Sequence, residues 1–401
     1  MTGPSTTLDL EGLGFEQGAH LLLQRALKDL PPGAELAVTG RDPALRLHLS
    51  TWCRGQGHRL RYPDDPDAPE CAWVIRGTAD IDRWKDADRA GTPEPGGTIT
   101  NPPLHWGLAA RGALIEPGGP ELPFDLASRD LIWADLAPAL YANAASAQWD
   151  PQKAVDWHAE VNLPDEIERA VVQIMTFLIE NEQAALVIPA RLLSRVHPHF
   201  REVLQLLAVQ AADEARHVEV FTRRARLKGH EMGTSSVSGR ESLATLITEP
   251  DFSLASFLLS VLGEGSFLNL LTFIDRHAPD PVTRQVARLA RQDEARHVAF
   301  GVAHLQHQGT IDPSLRSRLR TAVERRHDTL VDTSGLNQDV FDALVVLAAG
   351  EWTPEAIAHG FAEVQKLQAE MDEGRQHRLI RLGFPADEAT DLSALHTRNF
   401  M

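Results

Sequence analysis

Two identical pentapeptides in the chain carry side chains that can bind metal ions. The sequence Asp-Glu-Ala-Arg-His occurs at residues 213–217 and again at residues 293–297. In each copy the glutamate and the histidine are three residues apart, so on a helix they share a face and can hold one metal ion together. A single copy is most often a solvated surface pair. Two copies on two long helical patterns favour a metal site.

A lone glutamate precedes each copy inside an apolar helical pattern. Glu182 lies 32 residues before Glu214, and Glu264 lies 30 residues before Glu294. The local sequences Asn-Glu-Gln-Ala-Ala-Leu and Gly-Glu-Gly-Ser-Phe-Leu align, which indicates one helical hairpin used twice. An ionised carboxylate inside an apolar helix is costly unless it is paired or binds metal. Glu180 is the alternative to Glu182, but it lies on the polar face of the predicted helix.

These residues make up the donor set of a dimetal site inside a four-helix bundle. Two divalent cations would neutralise the repulsion among four glutamates. Mixed carboxylate and imidazole ligands favour iron or manganese, and the lack of thiolates disfavours structural zinc. The predicted ligands are Glu182, Glu214, His217, Glu264, Glu294 and His297.

Residues 164–306 resemble the ferritin-like di-iron carboxylate superfamily, and the Asp-Glu-x-Arg-His spelling looks most like its oxygen-activating members. The resemblance implies two Fe ions, or alternatively Mn/Fe or Mn/Mn, with O2 as co-substrate. It implies one metal per hairpin, with two carboxylates bridging. It also implies that Asp213 and Asp293 orient the ligand histidines while Arg216 and Arg296 balance them. A solvated salt bridge is the alternative for these four residues.

Two glycines flank Glu264 in the middle of its helix, where each costs about 1 kcal/mol relative to alanine. They indicate either a π-bulge that leaves room for substrate or close helix packing. The expected substrate pocket is apolar with one polar contact, and ordinary core packing is the alternative for its aromatic residues. Its predicted residues are Leu178, Gln210, Phe221, Gly263, Gly265, Phe267 and Phe300.

Long helical patterns must position these side chains. Helices are expected over about 164–187, 200–228, 254–277 and 281–306, with further helices after residue 313. The clearest of these begins with Thr353 as N-cap and Pro354 as its first residue, and it ends before Gly383. The sequence therefore predicts an all-α ferritin-like four-helix bundle with a C-terminal helical extension.

The first 78 residues follow a different pattern, βαβαββ, which implies a small two-layer α/β domain. Strands are expected near residues 6–10, 35–39, 58–61 and 72–76, with helices over about 16–30 and 42–54.

This region is similar to the TusA/SirA-like sulfur-carrier family. The matching residues are Leu8-Asp9, Gly12-Leu13, Ala26-Leu27, Pro32-Gly33, Asp42-Pro43 and Cys53 before Gly57-His58. The family carries a persulfide on a cysteine followed by proline, and Phe15 and Glu16 occupy those positions here. Without that thiol, we expect a docking or oligomerisation module, with Cys53 packed in the core.

Residues 79–150 are rich in proline and glycine and contain four tryptophans. Tryptophan is costly to leave in water, so we expect this segment to wrap on a surface rather than form a free linker. The predicted division of this multidomain chain is 1–78, 79–150, 151–310 and 311–401.

Composition limits the partners. Lys+Arg 39 against Asp+Glu 56 gives a net charge of −17, which disfavours nucleic acid. The N-terminal residues lack the pattern of a signal peptide. The apolar run from Phe257 to Ile274 has Glu264 at its centre, which favours a buried helix over a membrane span. We therefore expect a cytoplasmic protein without membrane contact.

The function favoured by these features is oxidation or oxygenation of a small organic substrate by a non-haem di-iron or Mn/Fe protein that activates O2. An electron donor, either a reductase or a ferredoxin, is expected, and the helices after residue 311 are compatible with a homodimer. The alternatives are a ferroxidase or metal-handling protein, and a non-catalytic scaffold with a sulfur-relay-like docking domain. Tyr62 and Tyr141, the two tyrosines, lie outside the predicted bundle, which disfavours a radical-generating subunit.

Overall fold

The structure is a computed structural model that describes residues 6–63, 71–94, 96–330 and 338–395. It is mostly helical, with a small sheet region. The chain divides into two compact units: one comprises residues 1–90 and 112–120, and the other comprises residues 91–111 and 121–401. The Pro/Gly-rich segment thus contributes to both units, and the C-terminal helices belong to the same unit as the two Asp-Glu-Ala-Arg-His motifs.

The first unit is built on a four-stranded sheet. Its strands are β1 (Thr6–Asp9), β2 (Glu35–Thr39), β3 (Arg59–Arg61) and β4 (Cys71–Ile75), and its helices are α1 (Ala19–Lys28), α2 (Leu45–Gly55) and α3 (Ala79–Arg83). A two-stranded ribbon, β5 (Asp88–Arg89) with β6 (Leu114–Ile115), completes it. The strand order is β1-β2-β4-β3, with β1 parallel to β2 and the other pairs antiparallel. Up to β4, the elements follow the expected order βαβαββ.

Local chemistry in the first unit differs from expectation at one helix start. Residues Phe15–Gln17 form a 3-10 turn, and Gly18 has a left-handed backbone with φ 98°, so α1 begins three residues later than predicted. Glycine adopts this conformation without strain. Cys53 is buried in the core as expected, and burial raises the pKa of its thiol to about 12. Cys53 is therefore a protonated, packed thiol at neutral pH.

The second unit contains the helices of the predicted metal site. Its helices are α4 (Arg129–Ile132), α5 (Ala137–Ser146), α6 (Asp165–Leu193), α7 (Arg201–Ala225), α8 (Val237–Ile247), α9 (Phe252–Ser256), α10 (Gly265–His277), α11 (Pro281–Ile311), α12 (Leu315–Leu330), α13 (Gln338–Ala349), α14 (Pro354–Arg381) and α15 (Ala386–Ala394). A π-helix, Phe257–Glu264, joins α9 to α10. Helix α6 packs along α7, α10 packs along α11, and α7 contacts α11. Helices α13 and α14 cover α6 and α10, respectively.

Helix boundaries agree with expectation where caps mark them. Thr353 accepts a hydrogen bond from the Ala356 N–H at the start of α14, as its N-cap position predicts. Helix α6 instead runs six residues past its predicted end and contains Pro189. Proline removes one helical hydrogen bond. Burial of the neighbouring Ile188 and Leu192 compensates for that loss and carries the helix on.

Two helical stretches are long and apolar enough to cross a membrane, Asp165–Leu193 and Phe252–His277. Of their most apolar windows, 72% and 83%, respectively, are buried inside the protein. Core helices of soluble proteins have the same property, and each stretch carries a buried glutamate of the predicted metal site. The two helices are thus weak evidence for a membrane.

A buried ion cluster ties three helices of this unit together. Arg224 on α7 is fully buried and donates to both carboxylate oxygens of Glu168 on α6, at 2.6 and 3.0 Å. The same guanidinium donates to Asp280 at 2.8 Å and to Thr283 at 2.7 Å. Asp280 is also the N-cap of α11, because it accepts a hydrogen bond from the Thr283 N–H. Arg224 therefore fixes the start of α11 against the first hairpin.

We expect Arg224→Ala to lower the free energy of unfolding by about 3–5 kcal/mol, because it leaves two buried carboxylates without their cation. Urea denaturation followed by circular dichroism measures this change. Arg169→Ala is the matched control, since Arg169 forms an exposed ion pair with Asp165 on α6 and such pairs contribute little. Equal losses in the two variants would contradict the structural role of the buried cluster.

Candidate metal centre

The six predicted ligand side chains converge inside the second unit. Each is at most 4% exposed. Four helical segments supply them: α6 supplies Glu182, α7 supplies Glu214 and His217, the π-helix supplies Glu264, and α11 supplies Glu294 and His297. Such burial of four carboxylates is unfavourable unless cations accompany them.

The ligand atoms form two overlapping groups, and within each group they lie within 4.8 Å of one another. One group is Glu182, Glu214, His217 and Glu294, and the other is Glu214, Glu264, Glu294 and His297. Glu214 and Glu294 belong to both groups. Two adjacent positions that share two carboxylates have the arrangement of a bridged metal pair.

The structure separates the two glutamates that compete on α6. Glu182 is 1% exposed, and its Oε2 lies 3.4 Å from Nδ1 of His217. Glu180 is half-buried and lines a cleft outside the cluster. Of the two, Glu182 is the one that lies among the other candidate ligands.

Each histidine is oriented by the aspartate of the opposite pentapeptide. Nε2 of His217 lies 3.2 Å from Asp293, and Nε2 of His297 lies 3.2 Å from Asp213. A carboxylate at that distance accepts the Nε2–H, which leaves Nδ1 with its lone pair. The Nδ1 atoms of His217 and His297 lie 3.1 and 3.0 Å from oxygens of Glu214. A lone pair that faces a carboxylate at this distance requires a cation between or beside them, either a proton or a metal ion.

The charges around the ligands cancel outside the inner cluster. Arg216 and Arg296 each bind both Asp213 and Asp293, so two cations balance two anions. The inner cluster keeps four carboxylates and two imidazoles. Its four negative charges equal the charge of two divalent cations.

The pKa values of the clustered side chains reflect the same imbalance of charge. Burial and the nearby charge of Glu214 raise the pKa of Glu182 to about 8. Burial and the charge of Glu294 raise the pKa of Glu264 well above its usual range. Burial opposes protonation of His217 and His297, but the surrounding carboxylates outweigh it and raise both pKa values. The clustered carboxylates thus favour bound positive charge, either as protons or as metal ions.

Several ligand atoms make no hydrogen bond to the described residues. They are Glu182 Oε1, Glu214 Oε1, Glu264 Oε2, Glu294 Oε2 and His297 Nδ1, of which Glu214 Oε1 and His297 Nδ1 lie 3.0 Å apart as an ion contact. Buried polar atoms are nearly always satisfied, and unpaired ones call for an explanation such as an ion. The donor set, its charge and its unpaired atoms together fit a pair of divalent metal ions.

Two residues that the sequence did not single out as site residues complete the surroundings. Gln148 donates to Asp213 at 3.0 Å, and the indole N–H of Trp149 donates to Asp293 at 2.8 Å. The Trp149 ring also stacks on His217, with centroids 6.5 Å apart and an interplanar angle of 16°. They lie after α5, far along the chain from either motif. The cost of leaving tryptophan in water was the only signal that pointed to Trp149.

The two glycines beside Glu264 have different roles. The predicted π-bulge is present as an eight-residue π-helix that includes Gly263. Gly265 instead marks close packing, because a Cβ atom there would overlap the guanidinium of Arg378 on α14. Nε of Arg378 donates to the Val261 carbonyl of the π-helix at 2.7 Å. The C-terminal extension thereby supports the segment that carries Glu264.

The predicted substrate-pocket residues separate into three groups. Gly263 and Phe267 line a cavity of about 20 Å³ beside Glu182, Glu264 and Glu294. Gln210 is buried and donates to Oε1 of Glu264 at 3.0 Å, so it contacts a candidate ligand. Gly265 packs on Arg378, and the others lie in the apolar core: Leu178, Phe221 and Phe300. A cavity of this size holds one water molecule.

The chain matches no protein-family model and no curated protein. Among solved structures it is similar to an R2-like ligand-binding oxidase from Sulfolobus acidocaldarius, with 16% identity, a TM-score of 0.42, and coverage of 60% of this chain and 90% of the other. An R2-like ligand-binding oxidase with an aerobically reconstituted Mn/Fe cofactor has 19% identity, a TM-score of 0.45, and coverage of 67% and 95%. A Synechococcus protein with aldehyde deformylating oxidase activity has 18% identity, a TM-score of 0.43, and coverage of 57% and 96%. Likeness this remote does not carry an activity over to this chain.

We expect Gly265→Ala to destabilise the protein by about 1–3 kcal/mol, because the new methyl group displaces the half-buried guanidinium of Arg378 from its hydrogen bond with the Val261 carbonyl. Gly263→Ala is the matched control two residues earlier. A Cβ atom there would lie 3.3 Å from the Leu258 carbonyl oxygen, a less severe overlap than the one at Gly265. The midpoint of urea denaturation compares the two variants. A larger loss for Gly263→Ala would contradict the packing role assigned to Gly265.

Proposed function

We propose that the chain is a non-haem dimetal oxidoreductase that uses O2 to oxidise or oxygenate a small organic substrate. The observation that carries this proposal is the buried set of four glutamates and two histidines within a charge-balanced surround. Carboxylate-rich sites of this composition inside helix bundles suit iron or manganese. Fe/Fe, Mn/Fe and Mn/Mn pairs all satisfy the donor set.

In this proposal each hairpin provides most of the ligands for one metal ion. Glu182 and His217 serve the first ion, and Glu264 and His297 serve the second. Glu214 and its counterpart Glu294 would be shared between the two ions, as their presence in both ligand groups supports.

The surrounding residues hold the donors ready. Asp293 and Asp213 fix the Nε2–H tautomers and thereby direct both Nδ1 atoms into the cluster. Gln210 holds one oxygen of Glu264, which leaves the other oxygen to a metal ion. Phe267 lines the adjacent cavity and helps to exclude water from it. A metal pair bound there would supply the electrons that reduce O2.

Further parts of the proposal concern partners. Oxygenation that inserts one atom of O2 into the substrate and reduces the other to water requires two external electrons, and we propose a reductase or ferredoxin as their donor, acting in the cytoplasm. We propose a docking role for the first unit and assign it no sulfur-carrier chemistry. Phe15 and Glu16 occupy the positions at which the sulfur-carrier family has its reactive Cys-Pro pair, which supports this role. The thiol of Cys53 is buried, which supports it as well.

We expect about two metal ions per chain in the purified protein and loss of most of this metal in the Glu182→Ala, Glu264→Ala double variant. Elemental analysis after growth with iron and manganese measures both. Glu180→Ala is the matched control and should keep its metal, because Glu180 lies outside the cluster. Wild-type protein without metal would refute the dimetal proposal and favour a scaffold.

We expect O2 uptake driven by a reductant to continue after one equivalent of O2 per bound metal ion has been consumed. An oxygen electrode with the metal-loaded protein and excess chemical reductant measures it. The Glu182→Ala, Glu264→Ala variant provides the baseline. Uptake that stops after one equivalent would favour a ferroxidase instead.

A further inference from the structure

The cavity beside the metal ligands is too small for an organic substrate. At about 20 Å³ it holds a water-sized molecule, whereas small-molecule sites usually have about 300–1,000 Å³. A substrate must therefore enter from a larger space through a wall that moves.

Resting on the proposed oxidase function, we infer that substrate binds in the cleft between α6 and α8 and reaches the metals past the side chain of Leu243. This cleft has a volume of about 470 Å³. It is lined by Glu180, Gln183, Ala184, Val187, Arg240, Leu243, Ala244, Ile247 and Thr248.

Leu243 is the residue that the cleft and the cavity have in common. On α6, the neighbouring residues Ala184 and Ala185 line the cleft and the cavity, respectively. Along this line the wall is thus about one side chain thick, and Leu243 is only half-buried. Rotation of one leucine side chain would join the two spaces.

A second cleft, of about 490 Å³, lies between α8 and α12, but it shares no lining residue with the cavity. Arg326 on α12 lines it and donates to Ser242 and Thr245 of α8, with a distance of 2.6 Å to the Ser242 hydroxyl. These bonds, together with one from Arg326 to the Ser242 carbonyl at 3.3 Å, hold α8 on that side. Opening of the wall between the cleft and the cavity therefore depends on movement of the Leu243 side chain rather than on displacement of the whole helix.

The lining of the α6–α8 cleft defines the class of substrate. Val187, Ile247 and Ala184 provide apolar surface, and Glu180 and Arg240 place one carboxylate and one guanidinium on the cleft wall. This combination suits a small organic molecule with an apolar body and a polar or ionisable head group. The apolar part would point through Leu243 towards the metals.

Thiol labelling tests this route without requiring bound metal. In a Cys71→Ser background, Ala185→Cys places a thiol on the cavity wall, and iodoacetamide measures its accessibility. Leu243→Ala should speed alkylation about tenfold because it removes the barrier to local opening, whereas Leu243→Trp should slow it. Val237→Ala, at the exposed start of α8, is the control and should not change the rate.

The competing route is tested in parallel. Thr329→Trp fills the cleft between α8 and α12 and should leave the alkylation rate unchanged. Equal rates for Leu243→Ala, Leu243→Trp and the parent would overturn the inference, as would slowing by Thr329→Trp alone. Circular dichroism establishes that each variant is folded. Labelling does not require bound metal, so its outcome is distinct from that of the metal analysis.

Discussion

The mutual repulsion of four buried carboxylates is the constraint on which the rest of this structure depends. Glu182, Glu214, Glu264 and Glu294 lie out of water, where isolated negative charges are strongly unfavourable. The aspartates and arginines around them already balance each other's charge, so they cannot relieve the repulsion. The protein therefore needs positive charge at the centre itself, and burial beside neighbouring carboxylates accordingly raises the pKa values of Glu182 and Glu264.

Residues far along the chain from the ligands help to hold this centre in place. Trp149 and Gln148 lie outside the four helices, yet they hydrogen-bond the aspartates that orient the histidines. Arg378, more than a hundred residues after Glu264 in sequence, supports the π-helix that ends at that glutamate. The segment before the bundle and the helices after it thus act as structural parts of the site. Four isolated helices with the same ligands would lack these supports.

The sequence was most informative where chemistry repeats. The duplicated Asp-Glu-Ala-Arg-His motif and the two lone glutamates pointed to six side chains that the structure brings together. Helix caps at Thr353 and Asp280 follow local rules, and local rules can be read from sequence. Helix α8 and the contact between Trp149 and Asp293 could not be predicted from the sequence, because both depend on long-range packing. Propensity also placed the end of α6 too early, since tertiary burial overrides the effect of Pro189.

The two hairpins carry the same pattern of candidate ligands, but their symmetry is broken in the backbone. Glu182 belongs to an uninterrupted α-helix, whereas Glu264 ends a π-helix whose hydrogen bonds are shared with an arginine from α14. Gln210 contacts Glu264 as well, and so adds to the difference between the halves. The two positions would thus offer different coordination environments. If the two metal ions were different elements, each element would accordingly occupy one defined position rather than both positions at random.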